Sequence, residues 1–236
     1  MARAGTLRVR ALGPEAQTDA RGAVILCHGF GAPGDDLVPL AGACDVGAMR
    51  WFFPEAPLTV DLGTDEPGRA WWPIDMLALQ LELSRGARAW DPAATPEGLF
   101  DARDALVETL HALVHNHGVD PTRTILGGFS QGAMLATEVA LTSGLDFAGL
   151  AILSGSKIHE RAWADGLGSR GRTLRVFQSH GRRDPLLPFA VAEELHDDFA
   201  RAGADITFVP FDGAHEIPRR VLDSFAGFVR ATLRGE

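Results

Sequence analysis

Cysteine is scarce in this chain of 236 residues: Cys27 and Cys44 are the two present, too few for a disulfide framework. Cys27 falls inside the apolar run Ala23-Val24-Ile25-Leu26-Cys27 and reads as a small buried hydrophobe, not a reactive thiol. No stretch reaches the ~20 apolar residues that a membrane-spanning helix needs. The first residues, Met1 to Arg10, have charges scattered through them and lack the apolar run of a signal peptide, so a cytoplasmic location is the expectation. Basic charge is also short, with 22 Lys and Arg against 31 Asp and Glu and a net charge of -9. That balance argues against nucleic acid, which needs a basic face, and disfavours docking on anionic membranes. Gly29 to Gly34 is glycine-rich but has no Gly-Lys-Ser/Thr, which removes the case for a phosphate loop. Internal repeats and low-complexity segments are missing. Tyrosine is missing altogether beside five tryptophans, an imbalance with no evident physical cause.

What remains is an ordinary globular composition, 46% hydrophobic and 22% charged, with length enough for one large core. Strand patterns alternate with helical ones. Thr6 to Leu12 alternates like an edge strand, Ala23 to Cys27 is continuous and apolar like a strand buried on both faces, and Met49 to Phe53 forms a third. Asp36 to Cys44 reads as helix. Gly98 to His117 carries Leu99, Ala102, Leu106, Leu110 and Leu113 on one helical face, with Gly118 as its cap. Phe147 to Leu153, Leu174 to Gln178 and Ile206 to Phe211 are further strands, and Glu193 to Ala202 and Leu222 to Leu233 are late helices. Such alternation predicts an α/β fold, a mostly parallel central sheet with helices on both faces, formed as a single domain over 1-236.

The segment Gly128-Phe129-Ser130-Gln131-Gly132 lies between the β-prone run Arg123 to Gly127 and the helix-prone run Ala133 to Ala140. Ser130 is thus predicted on a sharp strand-to-helix turn, where small residues two before and two after let the chain pass closely. Glycine-rich turns with an incidental serine are common, so an acid and a histidine in the right order downstream are the deciding signal. Asp184 lies in the loop after the strand Leu174 to Gln178, and His215 in the loop after Ile206 to Phe211. In a parallel sheet those loops share one edge, and the order Ser130, Asp184, His215 is that of nucleophile, acid and base in α/β-hydrolases. A serine hydroxyl needs a base to take its proton and an acid to orient that base. The helix starting at Gln131 points free N–H groups toward a developing oxyanion. The backbone N–H of Gln131 supplies one donor, and the N–H of Phe30, in the loop after Ala23 to Cys27, is the candidate for the other.

The pieces His28-Gly29-Phe30-Gly31, Gly127 to Gly132, His180-Gly181-Arg182-Arg183-Asp184 and Gly213-Ala214-His215-Glu216-Ile217 resemble the phospholipase/carboxylesterase family of α/β-hydrolases, which holds acyl-protein thioesterases and bacterial carboxylesterases. The likeness runs from about Gly22 to Arg230. It implies a serine hydrolase that cleaves carboxylic esters through an acyl-enzyme, with no cofactor and no metal, acting on a small-molecule acyl ester or thioester. An acyl thioesterase or lysophospholipase with the same triad is the neighbouring alternative. A hydrolase-fold protein that merely binds a small ligand is the distant one, and it would have no need to keep all three residues. Two departures stand out. Ala133 replaces a glycine common in the family, and Trp71-Trp72-Pro73-Ile74-Asp75 resembles a bacterial branch more than the protein-deacylating enzymes. Nothing in the residue pattern sets an oligomeric state, and a homodimer formed through an apolar face is compatible with it.

Between Glu55 and Glu97 no strand fits cleanly, and prolines punctuate a lid-like excursion. Met76 to Leu83 alternates like a strand but is made of helix formers, which favours helix. Trp71, Trp72 and this segment are expected to roof an acyl pocket near Ser130, with Leu187 as a further substrate contact; plain loop packing is the equal alternative. His111, His115 and His117, with Glu108, have spacings a metal could use, but histidines at a helix C-terminus are favoured by the dipole alone. His28 and His180 read as structural. Glu216 is an alternative acid, and its adjacency to His215 disfavours it.

Overall fold

The computed structural model describes residues 2–14, 20–63, 67–84, 91 and 93–234. In chain order the elements are β1 (Ala2–Ala4), β2 (Leu7–Leu12), β3 (Ala23–Cys27), α1 (Pro39–Ala43), β4 (Arg50–Glu55), β5 (Leu58–Val60), β6 (Gly68–Ala70), α2 (Met76–Ser84) and α3 (Leu99–His117). They continue with β7 (Thr124–Phe129), α4 (Gln131–Thr142), β8 (Gly149–Leu153), α5 (Glu160–Arg170), β9 (Arg175–Gly181), α6 (Phe189–Arg201), β10 (Asp205–Phe211) and α7 (Arg219–Arg234). The main sheet has the order β1-β2-β4-β3-β7-β8-β9-β10. β1 and β2 join it antiparallel, and every pairing from β4 to β10 is parallel.

The apolar strands divide their side chains between two cores. In β3, Ala23, Ile25 and Cys27 face α3 and α4, while Val24 and Leu26 face the side covered by α1 and α7. This is why β3 reads as a continuous apolar run: each face has its own helix layer. α3 presents the expected stripe of Leu99, Ala102, Leu106, Leu110 and Leu113 to the first core, and Gly118 ends it in the left-handed conformation. α4 is buried from Gln131 to Leu141. No described helix is long and apolar enough to cross a membrane.

Three local expectations are corrected, and one element has no counterpart among those expected from the sequence. The stretch after Glu55 does contain strands: β5 and β6 form an antiparallel hairpin with Leu58 opposite Ala70. Its residues are mostly exposed or half-buried, so no apolar pattern marks it. The helix expected over Asp36 to Cys44 shortens to α1, which starts at Pro39, since proline suits a first helical turn. β1 lies outside β2, so β2 is not the edge strand that its alternation suggests. α5 is not apparent from the residue pattern, because Gly166 and Gly168 dilute its helical signal; Gly166 is required where a Cβ would lie 2.6 Å from Leu141 O. α2 is a helix, as its composition predicts.

Candidate active site

β7 delivers the chain to Ser130 with φ 54° and ψ −120°, a conformation that L-residues rarely adopt. The turn is pressed against the end of β3. A Cβ on Gly128 would lie 2.5 Å from Cys27 O, and one on Gly132 would overlap Cys27 O and lie 2.5 Å from His28 O. Glycine at both positions is therefore a steric requirement. The Ser130 N–H donates to Leu153 O at 2.9 Å, anchoring the turn to β8. Ala133 is accommodated: it is fully buried, and its N–H donates to Ser130 O at 3.0 Å.

The loops after β9 and β10 are laced together. Arg182 N–H donates to Phe211 O at 2.8 Å and Arg183 N–H to Gly213 O at 2.9 Å. Within them the His215 Nδ1–H donates to Asp184 Oδ2 at 2.6 Å, and the Asp184 side chain is 0% exposed. The other oxygen, Oδ1, accepts from the N–H groups of Leu186 and Leu187 at 2.9 Å each. Burial pushes the Asp184 carboxyl up, but the bond and charge of His215 and the two amides outweigh it, and the net shift is downward. The His215 ring lies 4.7 Å from that of Phe129, the residue before the serine. Glu216 turns away and accepts from Ala214 N–H at 3.1 Å. His180 Nε2–H donates to Leu187 O at 2.8 Å, and burial lowers the pKa of its ring.

Ser130 and His215 line one cavity of about 120 Å³, together with Phe30, Gln131 and Leu187. Among the described residues, neither Phe30 N–H nor Gln131 N–H donates to a backbone carbonyl. Ile74, Met76 and Leu79 close another side, so α2 contributes to the wall. Asp36, not among the residues expected from sequence, also lines it; no local pattern marks an exposed aspartate as cavity wall.

The two tryptophans part company. Trp72 does not border this cavity but a neighbouring one of about 190 Å³, with Pro73, Pro96 and Ile158; Ile74 and Met134 border both. Trp71 borders neither. It is 1% exposed and its indole N–H donates to His28 O at 2.9 Å, which corrects the expectation that it roofs the pocket. The Gln131 side chain, missed in the sequence, clamps this segment: its Oε1 accepts from Trp71 N–H at 3.0 Å and its Nε2 donates to Trp72 O at 2.8 Å. His28 is neutral in this setting, since Nδ1–H donates to Gly29 O at 2.8 Å and Nε2 accepts from Ala56 N–H at 3.1 Å; burial lowers its pKa. Among the described residues no group of three or more His, Cys, Asp or Glu could hold a metal ion.

A mostly parallel sheet with helices on both faces, a serine strained at a strand-to-helix turn, and the imidazole–carboxylate pair beside it define an α/β-hydrolase. Residues 14–233 match the phospholipase/carboxylesterase family, and the chain belongs to it. It is 30% identical to mouse (Mus musculus) lysophospholipase-like protein 1 over 60% of this chain and 61% of that protein. It is 25% identical to acyl-protein thioesterase 1 of Debaryomyces hansenii over 91% and 93% of the two chains. The crystal structure of esterase PE8 superposes with a TM-score of 0.75 and 25% identity, over 96% of this chain and 99% of that one. Family membership makes the chain a hydrolase of the esterase and thioesterase group.

Proposed function

We propose that the protein is a carboxylesterase in which Ser130 is the nucleophile, His215 the general base and then acid, and Asp184 the residue that orients the imidazole. The reading is carried by one observation: a serine held at φ 54° opens onto the cavity that His215 also lines, and His215 is bonded at 2.6 Å to a buried carboxylate. The Ser130 hydroxyl attacks the acyl carbonyl while its proton passes to His215. The amides of Phe30 and Gln131 hold the oxyanion, the alcohol leaves with the proton from His215, and water attacks the acyl-enzyme by the same route. No step requires a cofactor. Met134 and Ile74 border both cavities, so the acyl chain runs from Ser130 past them toward Trp72, with Leu187 against its first carbons.

Thioester cleavage uses the same groups, and the acyl-protein thioesterase likeness over most of both chains keeps acyl thioesters as the second substrate class. Hydrolysis of p-nitrophenyl esters of graded acyl length, in wild type and Ser130→Ala, tests the reading. The variant is expected to fold and to lose activity at every length, while the wild type shows an optimum set by the two cavities. A folded wild type inactive on all of these esters and on matched thioesters would refute it.

A further inference from the structure

In the esterase reading the second oxyanion donor is the backbone N–H of Phe30, and the residues on either side of it are held in place. On one side, the His28 ring bridges Gly29 O and Ala56 N–H. On the other, Gly31 N–H donates to Arg69 O at 2.8 Å and Arg69 N–H donates to Ala32 O at 3.1 Å. Phe30 is bracketed between these two attachments.

Both attachments converge on one ion-paired knot. The Arg69 guanidinium donates to Ala56 O at 3.0 Å, to Pro57 O at 3.2 Å and to Thr59 Oγ1 at 2.7 Å. It lies 3.3 Å from Glu55, a buried carboxylate that also pairs with Arg8. Arg69 therefore fastens β6 to the β4–β5 connection with its side chain, and fastens the oxyanion loop with its backbone. The fit is close: a Cβ on Gly68 would overlap Gly31 O and lie 2.8 Å from the Gly31 carbonyl carbon.

We propose that Arg69 is a positioning residue which, through the β5–β6 hairpin, sets the direction of the Phe30 N–H in the oxyanion hole. The proposal rests on the esterase reading above. A donor tied on both sides needs no reorganisation when negative charge appears, which is where such donors gain their effect. A displacement near 1 Å suffices to lose about 100-fold in rate.

Two variants test it from opposite directions. Arg69→Met removes the knot, and Gly68→Ala leaves every ion pair in place but pushes the hairpin off Gly31. Each is measured for kcat, KM and affinity for an alkyl trifluoromethyl ketone. With this probe the Ser130 oxygen bonds to the ketone carbon, the hydroxyl proton goes to His215, and the carbonyl π pair becomes the hemiketal oxyanion. Its affinity thus reports the oxyanion hole without a leaving group. The expected result is a kcat lower by about 10- to 100-fold, a KM within about threefold, and ketone affinity reduced by the same factor as kcat/KM. Folded variants that melt lower yet keep kcat and ketone affinity would reduce the hairpin to a stabilising element and overturn the proposal. If Arg69→Met does not fold, Gly68→Ala decides alone by the same readouts. Failure of the esterase reading is a separate outcome, seen as a wild type whose Ser130 is never labelled by a fluorophosphonate.

Discussion

Asp184 is tied at both of its carboxylate oxygens. One of its oxygens takes the His215 proton donor and the other takes two amides, so the carboxylate cannot swing away and the imidazole keeps the tautomer that leaves Nε2 free to act as base. Asp184→Asn retains the shape but presents an amide where a pure acceptor is needed, and kcat on a p-nitrophenyl ester is expected to fall about 10³- to 10⁴-fold with a small change in KM. A loss below tenfold would mean that His215 finds its orientation elsewhere. The residues of this constellation were legible in the sequence because their signals are local: small residues flanking a serine, and an acid and a histidine each one loop beyond an apolar strand. Gln131 and Trp71 were not legible in the same way. Their partners, Trp72 O and His28 O, are remote in sequence, and a buried amide or indole announces only that it needs a partner, not which one.

Among the elements, the segment from β5 to α2 shapes the cavities beside Ser130. Its helix contributes Met76 and Leu79 to the cavity that Ser130 and His215 line, and the turn before it contributes Trp72 and Pro73 to the adjoining one. Trp72 is 3% exposed, so Trp72→Ala both enlarges the second cavity and costs about 3–5 kcal/mol of packing. The expected outcome is a kcat/KM optimum moved to longer or bulkier acyl groups along an ester series; an unchanged optimum at lower stability would assign Trp72 to packing alone. Long, periodic elements such as α3 and continuous ones such as β3 could be read from residue pattern because burial on a defined face imposes it. The β5–β6 hairpin could not, since it is held by backbone pairing, by the Arg69 side chain and by the loop after β3, none of which leaves a hydrophobic period.

For the molecule as a whole, buried ionisable groups set the response to acid. Burial lowers the pKa values of His28 and His180 from 6.5, so the unfolded chain binds protons there more readily than the native one. Their contribution to stability is full above 6.5 and is lost as pH falls through the native values. The lowered Asp184 carboxyl acts in the same direction at lower pH, its contribution being complete above 3.8 and lost below it. Melting temperature should therefore decline on acidification from about pH 7 to 5, and His180→Gln should decline less steeply over that interval; parallel curves for the two proteins would remove His180 as a cause. The backbone of Ser130 has a different consequence for the whole. A non-glycine residue at φ 54° costs on the order of 1–3 kcal/mol, a sizeable share of the margin by which a domain stays folded. The residue proposed as nucleophile thus keeps its place on the sharp turn at the expense of the margin that holds the chain folded.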